Sequence, residues 1–344
     1  MKSKTLTTST TAVAMGGLVL GLAFVLSQAA IAQENNFPQP DPPKEVTVAE
    51  IPGVVAAGTK WQLVWGGNNN ADGLVGTKEG GILFGQEQPS YIGKLDKKDK
   101  YSIFAMDTHG TGAVNIDMKG RVFGIARTCT DPGGKDPDHC AEPTALWEFS
   151  PEHKMITNRD GKGFGRLDDL EIDKKGGIYL NGRTGVFYYS PSGKLIQISD
   201  NPRTNGVMLS PDEKTFYTND RTIIIAYDVQ PDGTCTNMRT FATLHGGGAD
   251  GMAIDSKGRV YIATGAGGVQ VFGTDGMYLG TIPLPRPVAS LAFSGPGKKW
   301  LYAQGRGATG PDGQEMKTAP GVRNDAKSIY KIELVAEGYK GRPK

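Results

Sequence analysis

Oxygen-bearing side chains recur at one place in a repeated sequence pattern of this chain. Counting back five residues from the residue that opens each of six similar turns gives Asp72, Gly112, Asp168, Asn205, Asp250 and Ala289. Three carboxylates and one amide repel one another at close range unless a cation is bound. An all-oxygen ligand set favours Ca²⁺, with Mg²⁺ or Mn²⁺ next and Zn²⁺ as a further alternative.

The same residues also fit a simpler interpretation. Asp72, Asn205 and Asp250 each precede a glycine, and such dipeptides are ordinary turns ahead of a strand. Taken singly, each is better explained as a turn. Four donors at one offset, with Gly112 and Ala289 as the only exceptions, favour a metal site.

The turns belong to a repeat of an apolar strand, a turn rich in Asp, Ser, Lys and Gly, and a second strand. The copies lie at 77–84, 117–123, 173–179, 210–217, 255–261 and 294–302. A period of about 40 residues with several strands per repeat is typical of propeller blades. The sequence therefore predicts an all-β, six-bladed β-propeller, closed by a strand around 61–65 or by the late strand 328–334.

Rotation about the axis of a propeller relates the same offset in successive blades. The four oxygen donors are therefore expected to converge on one mouth of the central channel. Gly112 and Ala289, being small, are expected to leave space there for a ligand.

The first residues have the layout of an export signal. Lys2 and Lys4 precede an apolar run over 12–32 that ends in Ala-Ile-Ala. We interpret 1–32 as a signal peptide cleaved after Ala32, which predicts a periplasmic or secreted protein without stable membrane insertion; an uncleaved anchor is the alternative. Residues 33–57 are proline-rich and are interpreted as a tether, and 58–344 as the propeller domain.

The charge balance bears on the partner. Removal of Lys2 and Lys4 with the signal leaves 36 basic and 36 acidic side chains. Binding to nucleic acid or to an anionic membrane needs a clustered basic excess, so a neutral chain argues against both. A small-molecule partner fits better.

Two of the three cysteines lie close together. Cys129 and Cys140 flank a loop rich in Gly and Pro, and in an oxidising compartment they could form a disulfide that closes it. The alternatives are two free thiols, or a weaker zinc interpretation that uses His139.

Three stretches resemble motifs of a known family. Arg166-Leu167-Asp168-Asp169 is similar to an Arg-x-Asn-Asp segment, and 204–212 is similar to a Pro-Asn-Gly-x-x-x-Ser-Pro-Asp stretch. Residues 249–255 are similar to a Pro-Asp-Gly-Met-x-x-Asp stretch. All three motifs belong to the SMP-30/gluconolactonase/LRE-like family, which includes regucalcin and bacterial calcium-dependent lactonases. The resemblance covers nearly all of the mature chain.

The resemblance implies a metal-dependent lactonase. It assigns Asp72, Asn205 and Asp250 as metal ligands, Arg166 and Asp168 as substrate contacts, and Asp250 as the general base that activates water. Two positions depart from the family pattern, because Asp72 replaces a glutamate and Asp168 replaces an asparagine. Either Asp168 is a fourth metal ligand, or the substrate differs from a plain sugar lactone.

Two other functions stay open at this point. His109 and His245 lie in glycine-rich stretches shortly before Gly112 and Asp250, and could act as acid or base at the same mouth, as in a paraoxonase-like lactonase or aryl esterase. A propeller that binds a ligand or a protein without catalysis is the second alternative, because this fold hosts many functions.

Overall fold

The computed structural model describes residues 39–127, 143–201, 203–319 and 322–344. These residues form six antiparallel sheets of four strands each. One strand of each sheet contacts its counterpart in the next sheet, and the sixth contacts the first, which closes a ring. The predicted six-bladed β-propeller is therefore confirmed.

The blades follow one another in chain order, except that β1 joins the last sheet. The strands are β1 (Gln62–Gly67); β2 (Asp72–Gly76), β3 (Ile82–Gln86), β4 (Tyr91–Leu95) and β5 (Tyr101–Ala105); β6 (Thr111–Ile116), β7 (Val122–Ala126), β8 (Ala145–Ser150) and β9 (Lys154–Thr157); β10 (Leu167–Ile172), β11 (Ile178–Gly182), β12 (Gly185–Tyr189) and β13 (Leu195–Ser199); β14 (Met208–Leu209), β15 (Thr215–Asp220), β16 (Ile223–Val229) and β17 (Cys235–Thr243); β18 (Met252–Ile254), β19 (Val260–Ala263), β20 (Val269–Phe272) and β21 (Tyr278–Ile282); β22 (Val288–Ser294), β23 (Trp300–Arg306) and β24 (Lys327–Glu333).

Helical structure in the described ranges is limited to the 3₁₀ turn Pro296–Lys298. No helix there has the length and apolar character needed to cross a membrane.

The repeated turns owe their shape to a side chain. Asp117 Oδ1 accepts hydrogen bonds from the amides of Lys119 (2.8 Å) and Arg121 (2.9 Å). Asp173 and Asp255 do the same in their own blades. An aspartate that binds the backbone two residues on is a common device of tight turns, so the motif sets the connection between the first two strands of a blade.

Both candidate closing strands take part in closing the ring. The last sheet has the order β1-β24-β23-β22, and β1 pairs with β24 so that Leu63 faces Tyr330. The two ends of the described chain thus share one blade.

Apolar side chains pack between the blades and also hold the segment before β1. Tyr261 of β19 and Phe293 of β22 meet edge to face at 5.0 Å, in a cluster that includes the buried Ile51 and Val54. The described part of the predicted tether, 39–57, is therefore anchored to the core. The signal peptide and the Cys129–Cys140 disulfide lie outside the described residues and stay predictions.

Two buried cationic side chains near the C-terminus, Arg342 and Lys344, bind residues of the inner strands. Arg342 donates to Glu171 Oε1 (2.9 Å), to the carbonyl of Leu209 (2.7 Å) and to that of Ser210 (3.1 Å). Lys344 forms an ion pair with Asp169, the residue after Asp168. This segment therefore ties β10 to the strand that follows it around the axis.

Candidate metal and active site

The predicted convergence of the donor residues is found in the structure. Asp72, Asp168, Asn205, Asp250 and Ala289 all line one cavity of about 740 Å³. The equivalent-offset argument therefore placed these residues correctly, although it does not by itself assign their chemical roles.

Backbone hydrogen bonds hold the donors in place. The Asp250 amide donates to the carbonyl of Ala263 in β19 (2.9 Å). The backbone amide of Asn205 donates to Asn219 Oδ1 (3.0 Å), and the backbone carbonyl of Asn205 accepts from Asn181 Nδ2 (2.7 Å). The sheets of the propeller thereby hold the backbone that carries the Asp250 carboxylate and the Asn205 side-chain amide.

The glycine that follows each of three donors has a packing reason. A Cβ atom on Gly206 would lie 2.2 Å from the carbonyl oxygen of Asp250, and one on Gly73 would lie 2.2 Å from Cα of Ala113. Neighbouring inner strands approach too closely for any side chain there. The glycines of the Asp-Gly and Asn-Gly pairs thus allow the inner strands to pack closely around the axis, in addition to forming the turn.

Arg127 fills the space that Gly112 was expected to leave for a ligand. A Cβ on Gly112 would lie 2.2 Å from Cζ of Arg127, whose side chain is only 1 % exposed. Its guanidinium lies 3.6 Å from Asp72 Oδ2 and 3.4 Å from Glu87 Oε1, and donates to the carbonyl of Asp168 (2.7 Å). On this side of the axis, the expectation of ligand space was wrong.

Gly112→Ala should therefore lower the free energy of unfolding by about 1–3 kcal/mol, because the added methyl overpacks the buried guanidinium. Gly248→Ala is the matched control, since a Cβ there meets no atom within 4 Å. Denaturant unfolding of both variants measures the difference. Equal stabilities would mean that Arg127 does not depend on the absence of a side chain at residue 112.

Burial makes two of the carboxylates difficult to ionise together. Burial raises the pKa of Asp250 well above its usual value, and the charge of Asp72 raises it further, whereas Arg306 lowers it. Burial also raises the pKa of Asp72, against the opposing effect of Arg127. A bound cation would relieve both effects, so these two carboxylates and the Asn205 amide have the chemistry of a hard-ion site.

The described residues contain no set of three or more His, Cys, Asp and Glu residues already arranged around an ion. The donor set that fits a cation is thus two carboxylates and one amide, with room in the cavity for water or substrate to complete the coordination. Arg127, a buried cation of the protein itself, lies beside Asp72 and Glu87.

Asp168 is engaged differently from the other donors. Its Oδ1 accepts from Arg166 Nε at 3.3 Å, so the two predicted substrate contacts form an ion pair in this structure. Burial alone would raise the pKa of the nearby Glu87, but Arg127 and Arg166 outweigh that effect and lower it. The ion pair of Arg166 with Asp168 favours a role for Asp168 beside the substrate over a role as a fourth metal ligand.

The two histidines do not join the site. His109 stacks on Trp147 with ring centroids 4.0 Å apart, and His245 stacks on Tyr278 at the same distance. Neither is among the residues that line the cavity. The expectation that they could reach the mouth is not met, and the paraoxonase-like alternative loses its motivating observation.

Several cationic residues of the cavity were missed from the sequence. Arg127 and Arg183 each follow the turn glycine of their blade by seven residues, a position that Glu87 occupies in the first blade. The second strand of a blade runs antiparallel to the first, so its end returns to the mouth where the donors lie. Counting forward from the turn, as well as backward, would have found them.

Comparison with known proteins gives a consistent result. Residues 200–304 match the SMP-30/Gluconolactonase/LRE-like region. A gluconolactonase of Zymomonas mobilis is 33 % identical over 158 residues, which cover 37 % of this chain and 44 % of that protein. A pentonolactonase of Haloferax volcanii is 30 % identical over 141 residues, covering 39 % and 48 %. The chain thus spans less than half the length of these relatives.

Solved structures share the fold. A gluconolactonase of Xanthomonas campestris superimposes with a TM-score of 0.65 at 17 % identity, covering 87 % of this chain and 98 % of that one. Regucalcin of Agrobacterium tumefaciens, a calcium-binding protein, gives 0.61 at 16 % identity, covering 82 % and 98 %. The resemblance indicated by the sequence motifs is thus confirmed over residues 200–304, which carry Asn205 and Asp250 and are similar to the SMP-30/gluconolactonase/LRE-like region.

Proposed function

We propose that the protein is an exported, metal-dependent lactonase that opens the ring ester of a small-molecule lactone. The observation that carries the proposal is that Asp72, Asn205 and Asp250 line one cavity, where burial disfavours the ionised carboxylates unless a cation is present. The gluconolactonase and pentonolactonase names of the partial relatives support the reaction class.

In this mechanism Asp72, Asn205 and Asp250 would hold the ion, with Ca²⁺ the first candidate and Mg²⁺, Mn²⁺ or Zn²⁺ the alternatives. A bound divalent ion polarises the carbonyl of the lactone. Asp250 takes a proton from the water that attacks the carbonyl carbon, the ring C–O bond breaks, and the proton passes to the departing ring oxygen to give a hydroxy acid. Arg166 and Asp168 orient the substrate beside this centre, and their ion pair limits the freedom of the arginine.

Removal of metal should reduce lactone hydrolysis at least tenfold. The purified protein is treated with a chelator and assayed on sugar and aliphatic lactones by proton release. Activity is then measured again after Ca²⁺, Mg²⁺, Mn²⁺ or Zn²⁺ is added separately. Restoration by one of these ions is expected, and metal analysis of the untreated protein identifies which ion it carries.

Absence of turnover on every lactone, with and without added metal, would remove the proposal. In that case a propeller that binds a ligand without catalysis becomes the better explanation.

Export is the part of the proposal that depends on residues 1–32. The lysines followed by an apolar run ending in Ala30-Ile31-Ala32 support it. Mass spectrometry of the protein expressed with its natural N-terminus should find a mature chain that starts at Gln33. A chain that keeps Lys2 and Lys4 and stays inside the cell would contradict export.

A further inference from the structure

One buried polar side chain of the cavity wall lacks a hydrogen-bond partner. Gln304, in β23, has no exposed surface and lines the cavity. Neither its Oε1 nor its Nε2 makes a hydrogen bond to any residue in the part of the chain that the structure describes. A buried amide is normally satisfied, so an unpaired amide in the lining of a cavity indicates a missing partner, which a bound group can supply.

Cationic side chains surround this amide. Arg306 lies two residues further along the same strand, and because side chains of a strand alternate between faces, both residues are on one face. Lys327 of β24 is the register partner of Arg306, and Arg323 lies in the connection before it. All four residues line the cavity. We name Gln304, Arg306, Arg323 and Lys327 the rim subsite.

Arg306 and Arg323 are only partly paired with carboxylates of the protein. Arg306 Nη2 lies 3.7 Å from Asp250 Oδ2, which is too long for a hydrogen bond, and its side chain is 59 % exposed. Arg323 is 3.1 Å from Asp325, and its side chain is 46 % exposed. The planar donor fork of Arg306 is thus available to a ligand immediately beside the proposed metal ligand.

The carboxylates of the cavity are less exposed than two of its arginines. Asp72, Asp168 and Asp250 have side chains that are 23 %, 8 % and 21 % exposed, whereas Arg306 and Arg323 are 59 % and 46 % exposed. A neutral sugar lactone would offer no anionic group to these exposed guanidinium donors.

We propose that the rim subsite binds a second, anionic group carried by the lactone, a carboxylate or a phosphate ester, while the lactone carbonyl lies beside Asp72, Asn205 and Asp250. The inference rests on the proposed function and deepens it by naming the substrate class. Arginine binds both anions through paired hydrogen bonds, and the Gln304 amide adds a neutral donor. The volume of about 740 Å³ accommodates a substrate larger than an unsubstituted sugar lactone.

The test compares lactones of the same ring that either carry or lack the anionic group. Values of kcat/KM are measured for the monolactone of a hexaric acid and for its methyl ester, and separately for a phosphorylated aldonolactone and its unphosphorylated parent. We expect at least a tenfold preference for the charged member of one pair, residing mainly in KM and decreasing at high ionic strength. The pair that shows the preference identifies the anion.

The variants Arg306→Gln and Gln304→Leu should each reduce the charged-to-neutral ratio of kcat/KM at least fivefold. Arg239→Gln, which removes an exposed arginine paired with Asp228 on another blade, is the control and should leave that ratio unchanged. Using a ratio cancels any general loss of folded protein. Melting temperatures are recorded for all variants.

Equal or better turnover of the neutral member in both pairs would overturn the inference while leaving the lactonase proposal intact. If no lactone is hydrolysed, the lactonase proposal fails, and the rim subsite is then tested by calorimetric binding of the two charged lactones to the wild type and to Arg306→Gln. Binding that the variant weakens at least fivefold would support the subsite, and equal binding would overturn it.

Discussion

Asp250→Asn should lower kcat/KM for lactone hydrolysis at least a thousandfold. The substitution keeps the size of the side chain but removes both the proton acceptor and the negative charge proposed to hold the ion. General-base catalysis alone contributes about 10²- to 10⁴-fold. Steady-state kinetics at saturating Ca²⁺, together with calorimetric measurement of Ca²⁺ affinity, checks the expectation.

Asp168→Asn is the matched variant, since it makes the same chemical change on the same cavity wall. Because Asp168 pairs with Arg166, we expect this variant to change substrate affinity and to leave Ca²⁺ affinity within about threefold. Activity of Asp250→Asn within tenfold of the parent would contradict the assigned role and favour a binding protein. Loss of Ca²⁺ affinity in Asp168→Asn would instead make Asp168 a fourth ligand.

Arg342→Met should lower the free energy of unfolding by about 3–5 kcal/mol, because it leaves a buried carboxylate without its cation. Glu171 and the Arg342 side chain are 0 % and 1 % exposed, and the two are joined at 2.9 Å. Burial raises the pKa of Glu171 even with Arg342 present. Thermal and denaturant unfolding at neutral pH measures the loss.

The pH dependence of this loss has a definite sign. In the variant the folded-state pKa of Glu171 should rise further above its unfolded value, so stability is regained as pH falls and the carboxyl is protonated. The deficit should thus be smaller at about pH 5 than at about pH 8. Lys340→Met, which removes an exposed partner of Glu337, is the control and should cost under about 1 kcal/mol at either pH. An equal loss in both variants would contradict a structural role for the buried pair.

The fold was predictable because its signals are local. Asp117, Asp173 and Asp255 each bind the backbone of their own turn, so the repeat is visible over a few residues and its period sets the number of blades. The anchoring of the segment before β1 was not visible. Val48 and Ile51 are short apolar signals among prolines, and the cluster that they join is built from β18 to β24, which are distant in sequence.

The donor residues were predictable for a geometric reason, whereas the contacts that the cations around them make were not. Rotational equivalence carries Asp72, Asp168 and Asp250 to one mouth once the turns are aligned. Arg127 is buried only because Gly112 leaves room for it, and that contact joins two strands of the same blade at their ends. The ion pair of Arg342 with Glu171, by contrast, joins residues far apart in the chain.

The amino-acid sequence by itself determined the six-bladed architecture, the family resemblance and the convergence of the oxygen donors. The architecture and the convergence follow from a repeat, and the resemblance follows from three motifs, all of which can be read at short range. The tertiary structure alone decided which charges lie beside those donors. It placed Arg127 3.6 Å from Asp72 and Arg306 3.7 Å from Asp250, while His109 and His245 stacked on aromatic rings instead of reaching the cavity. Pairing of buried charges depends on distances of a few ångströms between blades, and only the packed ring sets those distances.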